Sequence, residues 1–351
     1  MYFNSSFLKF NKKSYFSWLY LTAICQTNKM KKIVLLLLTF FTLTSKAQET
    51  LPIYADYLSD NVYLLHPAAA GIGECGKLRL TARQQWLGVD DAPSLQTLSF
   101  HTKAGADSNA GYGFILFNDK NGYHSQLGFQ GTYAYHLNMG NENLFNQLSF
   151  GLSMSFVQNQ VDQRTFKDDP TVTQVIRSDF YYNADLGIAY HYKGFASYLT
   201  IKNLFLAAKG DLNPNFESFN LRNYILGGSY FFGEEDVLQY EPSVMFQYKE
   251  QTGEKIADVN FKVYKKIKNT QFWAALSYRT SFDGSVFGEA QYFTPILGVN
   301  FNRFMFAYTY TQQTGDITFS NGGFHQISLG MNLLCRKRRA SACPNINGML
   351  F

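Results

Sequence analysis

Along most of the chain, apolar and polar side chains take turns. In residues 144–156, Leu148, Phe150, Leu152, Met154 and Phe156 alternate with Gln147, Ser149, Gly151, Ser153 and Ser155. Residues 126–137 repeat the pattern, with Leu127, Phe129, Tyr133, Tyr135 and Leu137 set against Gln126, Gln130, Thr132 and His136. Near the end, Ile327, Leu329, Met331 and Leu333 alternate with Gln326, Ser328, Gly330 and Asn332. A period of two marks a β-strand whose faces meet different surroundings. A solvent-facing strand usually carries Lys and Glu on its wet side. Here that side carries Gln, Ser, Thr, Asn and Gly, which suits a crowded polar lumen.

Fourteen such runs follow one another: 77–86, 94–103, 110–118, 122–137, 143–158, 179–191, 194–203, 221–232, 237–249, 255–265, 270–280, 291–301, 302–311 and 323–335. The pattern predicts an all-β fold, a transmembrane antiparallel up-and-down β-barrel of about 14 strands. An even count keeps both termini at one end. The connections offer a check that does not use hydrophobicity. Those after even-numbered strands are short, as in Tyr192-Lys193-Gly194, Gly233–Asp236 and the bend near Asn302. The long ones, 161–178 and 205–220, follow strands five and seven, and Thr311–Gly322 follows strand thirteen. Short periplasmic turns and longer external loops give this sorting; a β-sandwich has no reason for it.

Composition supports a lipid-facing surface. Aromatic residues make up 17% of the 351 residues, with 33 Phe and 24 Tyr, and charged residues only 16%. Soluble domains carry about a quarter charged residues. Met30-Lys31-Lys32, the apolar stretch Ile33 to Leu43 and Ser45-Lys46-Ala47 read as a secretory signal peptide over 30–47, with cleavage before Gln48. Its apolar core falls short of the roughly 20 residues a spanning helix needs. Residues 1–29 then read as an over-long start, or as an extra cytoplasmic segment. The formal charge of +5 comes from this leader. Removing the seven Lys of residues 1–47 leaves 24 basic against 26 acidic side chains, a net charge of −2. Nothing in that balance points to nucleic acid.

Residues 48–76 lack alternation and carry His66-Pro67-Ala68-Ala69-Ala70-Gly71. With both termini periplasmic, they form either a strap or plug in the lumen or a plain periplasmic extension. The barrel proper occupies 77–335, and 336–351 is a basic periplasmic tail. No catalytic constellation is visible: the six His are isolated, there is no Cys-x-x-Cys, and no cofactor or metal is implied. Gly111-Tyr112-Gly113 lies in a strand, where Gly permits close packing. His101 and Asp185 face the lumen by alternation, as polar lumen residues. Asp168-Asp169-Pro170 reads as a solvated loop. Cys75 precedes strand one and Cys335 ends strand fourteen, neighbours in a closed barrel. A disulfide from Cys75 to Cys335 or to Cys343 is therefore feasible in an oxidising compartment.

The stretch Arg83-Gln84-Gln85-Trp86-Leu87-Gly88-Val89-Asp90-Asp91-Ala92-Pro93, followed by Gln96-Thr97-Leu98-Ser99-Phe100-His101-Thr102, resembles the signature of the PorP/SprF family. Pro67-Ala68-Ala69-Ala70-Gly71 is similar to that family's Asn-Pro-Ala-x-x-Gly, with His66 where Asn is usual. Asn118-Asp119-Lys120-Asn121-Gly122, Phe272-Trp273-Ala274-Ala275-Leu276-Ser277-Tyr278-Arg279 and Gly323-Phe324-His325-Gln326-Ile327-Ser328-Leu329 extend the likeness across residues 48–351. The resemblance implies a non-enzymatic component of the type IX secretion and gliding motility machinery of Bacteroidetes. Its partners would be other components of that machine, a large secreted adhesin or cargo protein, and outer-membrane lipid.

Within the signature, Arg83, Gln85, Trp86, Gly88, Asp91, Pro93 and His101 are candidate partner contacts. Asp90-Asp91-Ala92-Pro93 is turn chemistry. Arg83 and Gln85 have the parity opposite to Leu78, Leu80 and Ala82, so they face the lumen, either as part of its polar network or to receive a strap or cargo segment. The leading expectation is an anchoring or coupling subunit of a secretion machine. The alternative is a channel for small solutes, since a fourteen-stranded barrel is wide enough to hold a lumen.

Overall fold

The computed structural model describes residues 58–85, 92–105, 108–139, 145–162, 176–205, 222–234, 237–250, 252–282, 290–315 and 323–336. The strands are β1 (Gly76–Gln85), β2 (Ser94–Lys103), β3 (Ala110–Asn121), β4 (His124–Asn138), β5 (Asn146–Asp162), β6 (Ile176–Tyr192) and β7 (Phe195–Lys202). They continue with β8 (Asn223–Tyr230, resumed at Phe232–Gly233), β9 (Gln239–Lys249), β10 (Lys255–Ile267), β11 (Thr270–Ser281), β12 (Ala290–Phe301), β13 (Phe304–Gly315) and β14 (Phe324–Leu333). Each pairs antiparallel with its chain neighbours, and β14 pairs back onto β1 from Gly76↔Leu333 to Gln85↔Phe324. The result is the closed antiparallel 14-strand barrel that the alternation predicts. Closure leaves no open sheet edge along the seam.

The strand boundaries shift by a few residues, and two features depart from the sequence reading. The β3–β4 link is a tight turn at Gly122-Tyr123 although it falls on the long-loop side, with Gly122 at φ +60°. The run at 221–232 is not continuous. The ladder to β9 is interrupted where Pro242, which has no N–H, stands opposite, but the register is kept from Ser243↔Ser229 to Tyr240↔Phe232. Phe231 N donates to Gly194 O at 2.8 Å, and its ring, on the inward parity of Ile225, packs against Tyr264 at 6.0 Å.

Along most strands one face is exposed and mainly apolar, and the other is buried and largely polar. The outward set is uneven in height. On β5 it runs through Leu148, Phe150, Leu152, Met154 and Phe156, whereas β2 offers Leu98 and Phe100 between Gln96 and Thr102. Among the described residues no helix is long and apolar enough to cross a membrane. The buried polar face is stitched by cross-strand bonds, such as the bidentate Arg279–Asp258 pair at 2.6 Å. Cys75 and Cys335 are joined by a disulfide at the seam, beside Arg336 N donating to Glu74 O at 3.0 Å. Cys343 lies outside the described residues.

Candidate functional site

The segment before β1 enters the barrel. From Leu58 to Ile72 it is a strap of irregular chain with two 3₁₀ turns, Val62–Leu64 and Pro67–Ala69, and nearly all of it is buried. Proline at the first turn position and alanines after it suit so tight a path. Irregular backbone needs outside hydrogen-bond partners, and the luminal polar face supplies them.

Two halves of the strap are held differently. Residues 67–72 press their backbone onto a wall stripped of side chains. A Cβ at Gly151 would overlap the backbone of Pro67 and Ala68, and one at Gly111 would overlap Ala70. Only glycine permits such an approach. His136 on β4 donates from Nε2 to Ala70 O at 2.9 Å and accepts from Ser149 at Nδ1. Gly71 N donates to His101 Nδ1 at 3.0 Å.

Residues 58–66 are held by polar side chains from several strands. Tyr63 donates to Thr132 on β4 at 2.7 Å, and Asn61 to Ser99 on β2 at 2.9 Å. His66 shares a 2.8 Å hydrogen bond with Thr200 on β7 and stacks on Tyr198. Burial, with the Lys202 ammonium nearby, pushes the His66 imidazole down to about 3, so it is neutral at physiological pH. Lys202 donates to Leu64 O at 3.4 Å and stands 3.7 Å from Asp185. Lys262 on β10 forms an ion pair with the strap, 2.7 Å to Asp60 Oδ1, and also reaches Leu58 O at 3.1 Å. Its ammonium sits 4.6 Å from the Trp273 ring centroid and 5.2 Å from that of Tyr264. Buried pairs of this kind are costly to break, because the survivor keeps its charge without water.

A cavity lies on either side of this half. One, on the loop side, is lined by Leu64 with Thr97, Phe117, Gln130, Asp185 and Lys202. The other, toward the termini, is lined by Asp60 and His66 with Ser229, Glu241, Ser243 and Lys262.

The signature residues are distributed unequally over this site. His101 is 3% exposed and touches the strap both through Gly71 and through a tilted contact with Tyr63 at 4.9 Å. Arg83 and Gln85 face the lumen, as their parity predicts, and are buried. Arg83 lies 5.1 Å over the Phe324 ring, and Gln85 N donates to Pro93 O. Both sit near the loop end, away from the strap's own contacts. Trp86, Gly88 and Asp91 lie outside the described residues, as do Asp168-Asp169-Pro170. The strap's chief wall contacts, Lys202, Lys262, Thr200 and His136, were not singled out by sequence reading. Two signals for them were present: lysines at lumen-facing positions, and glycines at the same parity in β3, β5 and β6.

Among the described residues no group of His, Cys, Asp and Glu is arranged to hold a metal ion. A search of curated proteins finds no match. Solved barrels are similar in fold alone. Omp33 of Acinetobacter baumannii is 6% identical, with TM-score 0.41, over 75% of this chain and 99% of that one. A bacterial polysaccharide outer membrane secretin is 8% identical, with TM-score 0.38, over 75% and 99%. The translocator domain of autotransporter NalP from Neisseria meningitidis is 12% identical, with TM-score 0.33, over 74% and 88%. Scores this low carry no functional argument. The family comparison is different in kind, because the profile of the type IX secretion system membrane protein PorP/SprF matches residues 46–331, taking in the strap and nearly all of the barrel. The chain belongs to the PorP/SprF family of type IX secretion system membrane proteins.

Proposed function

We propose that this protein is a non-enzymatic mount in the outer membrane, anchoring secreted surface proteins or coupling them to other parts of the type IX machine. The family and the barrel fold place it among secretion-system membrane proteins of the outer membrane, and the family is not one of enzymes. The observation that carries the reading is the strap. It crosses the lumen from the β1–β4 side to Lys262 on β10, and a barrel filled in this way is better suited to holding partners than to passing solutes. In this reading both termini are periplasmic and the longer loops face outward, so one body offers contacts on both sides of the membrane.

The test is crosslinking and pull-down from native membranes. Recovery of secretion components or a large secreted adhesin is the expected result. Recovery of neither, with the barrel intact, overturns the reading. The channel alternative predicts steady conductance from purified protein in planar bilayers; the mount predicts none.

A further inference from the structure

The cavity on the terminal side of the strap is lined by two acidic side chains, Asp60 and Glu241, and by Lys262. Lys262 is committed to Asp60 Oδ1, to Leu58 O and to the faces of Trp273 and Tyr264. Glu241 is already partnered: its Oε2 accepts from Tyr264 at 2.6 Å, and Ser229 hydrogen-bonds the same carboxyl group. Asp60 Oδ2 accepts from no group, although the Asp60 side chain is only 2% exposed. An ionised oxygen buried without a donor costs free energy that an incoming donor recovers. Around it stand the hydroxyl-bearing Ser229 and Ser243 and the apolar flank of Met245. An aliphatic stem ending in a cation fits that lining: stem along the apolar flank, head at the carboxylates.

We infer that this cavity receives a basic side chain, Lys or Arg, of a partner polypeptide, with its cationic head at Asp60 Oδ2 beside Glu241. The cavity lies in the half of the barrel that holds Gly76 and Leu333. Glu241 is two residues from the start of β9, and Ser229 is one from the end of its first β8 segment. On the mount reading that half faces the periplasm, so the partner is a periplasmic component; the identity of the partner, though not the chemistry of the site, rests on that reading. Asp60 belongs to the strap and Glu241 to the wall, so the occupant grips both. It also competes with Lys262 for the carboxylate that ties the strap down.

The test uses the purified full barrel in nanodiscs with two capped amino acids, N-acetyl-arginine amide and N-acetyl-citrulline amide. They share a shape and differ in charge. Saturable binding of the arginine compound in roughly the millimolar range is expected, with the citrulline compound about ten-fold weaker. Glu241→Gln, which still accepts from Tyr264, abolishes that preference, and Asp60→Asn does the same. Glu250→Gln at the opposite end, where Glu250 meets Arg222, leaves it intact. Heat-modifiable mobility on gels verifies that each variant is folded. Equal binding of the two compounds, no binding, or a preference that survives both cavity variants overturns the assignment. Tighter binding after removal of residues 337–351 also overturns it, because the chain's own basic tail would then be the occupant. A pull-down that succeeds where this titration fails leaves the mount standing and removes only the cavity's assignment.

Discussion

Replacing Lys262 by Met should free the first half of the strap while leaving the barrel closed. Met fills much of the same volume against Trp273 and Tyr264 but removes the partner of Asp60. Breaking a buried pair by deleting one member costs about 3–5 kcal/mol. The strap leaves the pocket when leaving costs less than keeping the unpaired charge buried. At about 1.4 kcal/mol per factor of ten, exposure of the strap should rise roughly 10²- to 10³-fold.

Ser59 is 1% exposed, so a Ser59→Cys reporter reads this exposure through its rate of maleimide labelling. It would be placed in a Cys343→Ser background with Cys75 and Cys335 held in their disulfide. The double variant Lys262→Met with Asp60→Asn should recover most of the protection, because the orphaned charge is gone. A labelling rate unchanged by Lys262→Met in a folded barrel would refute the idea that this ion pair holds the strap.

Other outcomes follow from the same contacts. Gly151→Val drives a side chain into the Pro67–Ala68 backbone and should destabilise the folded barrel by about 1–3 kcal/mol, read as a lower heat-modifiability midpoint; an unchanged midpoint would mean the glycine wall is not a seat. Arg279→Met strips Asp258 of its bidentate partner and should cost about 3–5 kcal/mol in the same assay, with Arg279→Met/Asp258→Asn largely restored. Reducing the Cys75–Cys335 bond, whose cysteines lie 260 residues apart, should lower the unfolding midpoint. The effect should fall short of the 5 kcal/mol or so that loop entropy alone suggests, since the β1–β14 ladder already joins the ends. Removal of residues 58–72 should turn a silent barrel into a conducting one in planar bilayers, and silence after that deletion would show that something else fills the lumen.

Much of the wall was legible because a strand facing lipid on one side and a polar interior on the other has little freedom in its pattern. Leu148 to Phe156 fixes both the period and the face. The strap was only half legible. An irregular segment has no period, and its ends of interaction are set by the wall it meets, so residues 48–76 read equally as strap or extension. The clue lay elsewhere, in the inward parity of Gly113, Gly151 and Gly187, where a lumen-facing strand gives up side chains that would otherwise fill space. Phe231 has the inward parity of Ile225, so its face was legible, and what parity left open was its packing against Tyr264. Arg83 and Gln85 were placed on the correct face by parity, but parity is silent on height, and height keeps them from the strap.

The unequal apolar rows described for β5 and β2 have a consequence for the lipid. From Leu148 to Phe156 the greasy stretch runs about 27 Å along the strand, whereas Leu98 to Phe100 covers about 7 Å. A bilayer of one thickness cannot match both. It meets the difference by thinning against β2, by tilting the barrel toward that flank, or by gathering short-chained lipid there, each at a fraction of a kcal/mol per Å. The β1–β14 seam stands one strand from that shallow flank, so the stapled join lies close to where the apolar row is short.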